Sequence, residues 1–160
     1  DWIFNYELYM KISKAVLLNE IYYVHEQREG FSTSKKFKNE RPFNCVTSAS
    51  VEMTMFDSSQ IDKQFPDLKM KRLIDYLIEI LLLFYLQDCN WSTKDKKSFL
   101  RSLSGNSPFD YLYTVNSGVN KCLSGKRRLI YRLFRSGAAG NLLCLSALYG
   151  CVLRLKRYSR

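Results

Sequence analysis

The 160-residue sequence predicts a mainly α protein. The expected architecture is a single-domain bundle of about six helices around a central apolar helix at residues 67–88. Three observations carry this expectation. Pro66 to Cys89, PDLKMKRLIDYLIEILLLFYLQDC, is the longest strongly apolar stretch and follows a helical period. Apolar residues make up 46% of the chain and aromatics 14%, ample material for a core. A length of 160 residues is that of one domain, spanning 1–160.

The central segment sets the frame. Pro66 is tolerated beside a helix start, and Asp67 is placed to cap the first turn. Lys71, Arg72, Asp75 and Glu79 fall on one side of a helical wheel, and Met70, Leu73, Ile74, Leu77, Ile80, Leu81 and Phe84 on the other. After Glu79 the polar stripe gives way to Leu82, Leu83 and Leu86, so the second half is apolar all round and should be buried. A bilayer span needs about 20 apolar residues, and Asp75 and Glu79 interrupt this one.

In chain order, Trp2 to Gln27 predicts a long first helix, stopped by Gly30. It carries the lone histidine, His25, near its end, where a cation suits the helix dipole. Residues 31–42, with Lys35, Lys36 and Lys38, read as a polar loop. Within 43–56, Val51, Met53 and Met55 alternate with Glu52 and Thr54, a period compatible with a small β-hairpin. Asp57 or Ser58 is placed to cap a short helix through Phe65. Ser92-Thr93-Lys94-Asp95 resembles a capping box and opens a helix over Thr93–Leu103, ended by Gly105. Ser107-Pro108 opens another through about Val115. Ser124 caps a helix from Gly125 to Ser136, and Asn141–Leu155 forms the last.

Charge is unevenly placed. All fifteen acids lie at or before Asp110, so the net +10 resides in a basic C-terminal third, residues 111–160. Such asymmetry points to nucleic acid or another polyanion as partner. On the 125–136 helix, Leu129, Ile130, Leu133 and Phe134 form the expected core face. Arg127, Arg128, Tyr131, Arg132 and Arg135 form the expected outer face, flanked by Lys126. Arginine forks suit phosphates, and a tyrosine among them could stack on a base. Arg154, Lys156 and Arg157 extend the expected interface along the tail. SGKRR lacks the full GxxxxGK[ST] pattern, which argues against a nucleotide P-loop. Between Arg135 and Arg154 lie 18 uncharged residues. Ser136, Asn141, Ser146 and three glycines keep that run modestly apolar, so a core helix is expected rather than a membrane anchor through 136–153.

Five cysteines at irregular spacing, with one histidine, predict reduced and mostly buried thiols in an intracellular compartment, with no structural metal and no cofactor. Asn90-Trp91-Ser92 is a glycosylation sequon, read as a chance triplet. The chain opens on Asp1 rather than Met, which reads as a processed or excised product. No nucleophile–base–orienter set is apparent, and Asp75 with Glu79 is more simply the polar stripe of the central helix. The functional expectation is therefore a non-enzymatic helical module contacting RNA or DNA phosphates through its basic face. The alternative is a helical adaptor or regulatory protein that binds a partner through an apolar groove, its basic third facing an acidic partner or a membrane surface.

Overall fold

The computed structural model describes residue 11 and residues 37–59, 65–86, 88–105, 108–115 and 123–158. Apart from Lys11, which is helical, the expected first helix with His25 lies outside them, as do the loop cations Lys35 and Lys36 and residues 60–64 of the expected short helix. The described residues form helices α1 (Arg41–Ser59), α2 (Pro66–Leu83), α3 (Thr93–Ser102), α4 (Tyr111–Thr114), α5 (Gly125–Arg135) and α6 (Ala139–Tyr158), with a 3₁₀ turn at Leu103–Gly105. The mainly α class is as expected.

The central position of the expected 67–88 helix is observed in α2, which packs against α1, α4, α5 and α6. Met70, Leu73, Ile74, Leu77 and Ile80 are fully buried, and Leu81, Leu83 and Phe84 nearly so. Pro66 stands in the first turn as the sequence suggests, but the N-cap is Phe65 and no side chain caps the amides. Asp67 contributes charge near the helix start and a 4.0 Å ion pair to Lys71 one turn on. The helix also stops earlier than 88. Residues 84–86 leave it in turns, and Lys96 Nζ donates to the Phe84 carbonyl at 2.8 Å, satisfying an acceptor that the ending helix exposes.

The hairpin expected near 43–56 is replaced by α1. Alternation over five residues fits a strand, but the wider spacing is helical. Cys45, Ala49, Met53 and Phe56 are all buried on one face against α2. Ser50 Oγ and Thr54 Oγ1 donate back to the carbonyls four residues earlier, at 3.1 and 3.0 Å, so the polar side chains are accommodated within the helix. Glu52, which a strand would turn outward, is wholly buried.

Helix α3 opens on the capping box that the sequence indicates. Ser92 Oγ accepts from the Asp95 amide at 3.1 Å, and Asp95 Oδ2 accepts from the Ser92 amide at 3.2 Å. Helix α4 is shorter than expected, since residues 108–110 form a turn before Tyr111. Helix α5 ends in a Schellman motif: Ala138 N–H bonds the Leu133 carbonyl at 3.1 Å and Gly137 N–H bonds that of Phe134 at 2.9 Å. Gly137 has φ +68°, a left-handed conformation that glycine adopts without strain. The chain turns sharply there into α6. No described helix is long and apolar enough to cross a membrane.

Candidate nucleic-acid interface

The basic helix α5 is present, but it is rotated about its axis relative to the expected faces. Asp75, in the polar stripe of α2, accepts from Arg127 Nε and Nη2, both at 2.9 Å. This two-pronged bond holds the Arg127 guanidinium above its ordinary pKa. It also turns Arg127 toward α2. Tyr131, one turn on, follows it inward and is only 1% exposed, packed in the core with Ile130 and Phe134. The expected stacking role of Tyr131 is therefore corrected: its ring is not available to a base. Its hydroxyl accepts from Arg135 Nη1 at 2.9 Å. Leu129, expected in the core, is 45% exposed for the same reason.

The remaining cations of α5 differ in their engagement. Arg128 Nη2 donates to the Leu123 carbonyl at 3.1 Å, tying it to the helix start. Lys126, Arg132 and Arg135 are exposed. Neither Arg132 nor Arg135 has an ion pair among the described residues. Arg154, Lys156 and Arg157 fall within the last turns of α6. Of the five residues expected on the outer face of α5, Arg132 and Arg135 remain as exposed cations without an acidic partner among the described residues.

A second basic surface escaped the sequence reading. Lys94, Lys97 and Arg101 line one open cleft of about 440 Å³ with Thr93 and Ser98. None of the three has an ion pair among the described residues. Their spacing, three and then four residues on a helix correctly expected at 93–103, places them on one face. That spacing was the available signal, masked by the balanced charge of residues 1–110. The surface adjoins the α5–α6 corner: Arg101 lines a small cavity with Gly137, and a Cβ on Gly140 would meet Lys97 Cε at 3.6 Å.

Beside it lies an aromatic cluster. Trp91 packs edge-on to Phe37, Phe43 and Phe99, with ring centroids 6.0, 5.9 and 5.5 Å apart. Its indole N–H donates to Asn39 Oδ1 at 2.9 Å. Phe43 remains 54% exposed.

Elsewhere, Ile78, Leu81, Leu82, Leu129, Ile130 and Leu145 line an apolar groove of about 190 Å³ between α2, α5 and α6, with Lys126 also in its lining. Among the described residues, no three His, Cys, Asp or Glu side chains gather as a metal site requires. The thiols are free at Cys45, Cys89, Cys144 and Cys151. Cys144 and Cys151 are exposed, which corrects the expectation of mostly buried thiols. No protein-family model, curated protein or solved structure matches this chain.

Proposed function

We propose that this chain is a non-enzymatic nucleic-acid-binding module that grips phosphates through the basic face of α5. The observation that carries the reading is the pair Arg132 and Arg135, exposed within a third of the chain that contains no Asp or Glu. Arginines one turn apart repel one another, and a bound polyanion removes that cost. With Tyr131 buried, α5 can supply charge and hydrogen-bond donors but no stacking ring, so its contribution is to affinity rather than to base choice. The test is binding to duplex and single-stranded oligonucleotides over a salt series. Arg132→Gln with Arg135→Gln should lower affinity and flatten the log–log salt slope by about 0.9 per lost contact on duplex or about 0.7 on single strands. A double variant that binds as the parent does at every salt concentration overturns the reading.

The apolar groove favours a second reading, docking of an amphipathic helix with acidic flanks. Its floor is almost wholly leucine and isoleucine, and the charge in its lining is Lys126. An acidic helix suits that combination, laying its apolar face on the floor. Leu129→Glu should abolish capture of such a helix and leave nucleic-acid affinity nearly intact; the reverse outcome removes this reading.

A further inference from the structure

The basic cleft on α3 and the aromatic cluster beside it share a wall. Ser98 lines both the Lys94–Lys97–Arg101 cleft and a second cleft of about 450 Å³ formed by Phe43, Trp91, Asp95, Phe99 and Ser102. We infer that this surface binds single-stranded nucleic acid, with Lys94, Lys97 and Arg101 on the phosphates and Phe43 and Trp91 offering rings to the bases. The inference goes beyond the α5 reading: it concerns a different helix and supplies the stacking element that α5 lacks.

The chemistry follows from the pairing of the two clefts. Single strands are held by a positive groove along the backbone together with aromatic faces on which unstacked bases settle. The three cations span about 10 Å along the helix, at 1.5 Å per residue. Lys94 and Arg101 are exposed and Lys97 is half-buried, and none of the three has an acidic partner among the described residues, so their charge is available to phosphates. Thr93 and Ser98 add hydroxyls to the same cleft. A duplex would satisfy the cations but would leave the rings without partners, because its bases are already stacked.

Phe43 is the more telling ring. It packs on Phe99 at 5.1 Å and on Trp91 at 5.9 Å, yet more than half of it stays in water. Its neighbours hold it in place, so little side-chain freedom is lost when a base covers it. Asp95, the acid of this cleft, is occupied: its Oδ2 accepts from Ser92 Oγ at 2.6 Å and from the Ser92 amide in the capping box. Those bonds hold the carboxylate at the start of α3, where the helix dipole favours a negative charge.

The experiment uses the full chain with Trp2→Phe, which leaves Trp91 as the only indole. Titration with a thymidine or uridine homopolymer should change Trp91 emission, and a duplex of equal length should bind more weakly. Phe43→Ala should weaken single-strand binding about five- to 150-fold, the range for one lost stacked base. Lys94→Gln, Lys97→Gln and Arg101→Gln together should flatten the salt slope by about 2, at about 0.7 per contact. All three are surface changes that leave the core intact, so this variant remains informative if Phe43→Ala perturbs the fold. Unchanged Trp91 emission, or undiminished single-strand affinity in both variants, overturns the inference. If Arg132→Gln with Arg135→Gln loses binding while the α3 variants keep it, the α3 site is wrong and the α5 reading stands. The converse establishes the α3 site and overturns α5 as the carrier. Absence of any nucleic-acid binding overturns both.

Discussion

Glu52 and Arg72, on neighbouring helices, form an ion pair closed to water on one side only. Glu52 Oε1 and Oε2 accept from Arg72 Nε and Nη2 at 2.7 and 3.0 Å. The Glu52 side chain is 1% exposed and that of Arg72 is 37% exposed. Tyr76 also donates its hydroxyl to Glu52, at 2.7 Å. This asymmetry decides which partner can be removed. Without its guanidinium the carboxylate stays buried, whereas Arg72 without Glu52 can turn to solvent. Arg72→Met should cost about 3–5 kcal/mol, and Glu52→Gln, which keeps the shape and an acceptor, about 1 kcal/mol. The double change Glu52→Leu with Arg72→Met should recover most of the loss. Urea midpoints at constant m-value measure all three; equal losses for the two single variants would contradict the account.

The Asp75–Arg127 pair separates structure from binding. Both side chains are about one-third exposed, at 33% and 37%, so screening limits the pair to about 0.5–1 kcal/mol. Arg127→Gln should therefore lower stability slightly. It should leave the salt slope of nucleic-acid binding unchanged, because that guanidinium is committed to Asp75. A slope that flattens in Arg127→Gln as much as in Arg132→Gln would show that the pair opens on binding.

Much of the fold was legible from local pattern. The caps at Ser92 and Asp95, the apolar run of α2 and the arginine-rich helix α5 are each written within a few residues of themselves. What was not legible depends on partners far along the chain. Glu52 reads as a solvent-facing residue until Arg72, 20 positions later, is brought beside it. The alternation of Val51, Met53 and Met55 is too short to separate a strand from a helix, and only the spacing from Cys45 to Phe56 does so. For α5 the pattern gives a helix but not its rotation. The observed rotation buries Tyr131, pairs Arg127 with Asp75 and leaves Leu129 outward, and neither the ring's pocket nor the carboxylate is visible from within the helix's own sequence. The α3 cations were hidden because a segment whose total charge is zero can still carry a one-sided face.

Tyr131 supplies a direct check on that rotation. As a buried ring it should behave as core: Tyr131→Ala should cost about 3–5 kcal/mol, the range for truncating a large aromatic. Tyr131→Phe removes only the hydroxyl that accepts from Arg135 and should cost about 1 kcal/mol. Neither change should alter nucleic-acid affinity of the folded protein. A stable Tyr131→Ala protein with weakened single-strand binding would mean that the ring faces outward.

Cys45 provides a pH-dependent test of how α1 packs on α2. Burial, with the nearby charge of Glu79 adding to it, pushes the thiol from 9.0 up to about 12. The folded protein thus keeps a proton that the unfolded chain gives up near pH 9. The contribution to stability is complete below that pH and is lost as pH rises toward about 12. Tyrosines also ionise in this window, so the comparison is with Cys45→Ala, in which the stability lost between pH 8 and pH 11 should be smaller than in the parent. At pH 8 a thiol reagent should modify exposed Cys144 and Cys151 quickly, and Cys45 only as fast as the protein opens. Adding urea should speed the Cys45 reaction and leave the two exposed thiols nearly unchanged. A Cys45 that reacts as fast as Cys151 in the folded protein would place it at the surface, and the packing of α1 against α2 would have to be redrawn.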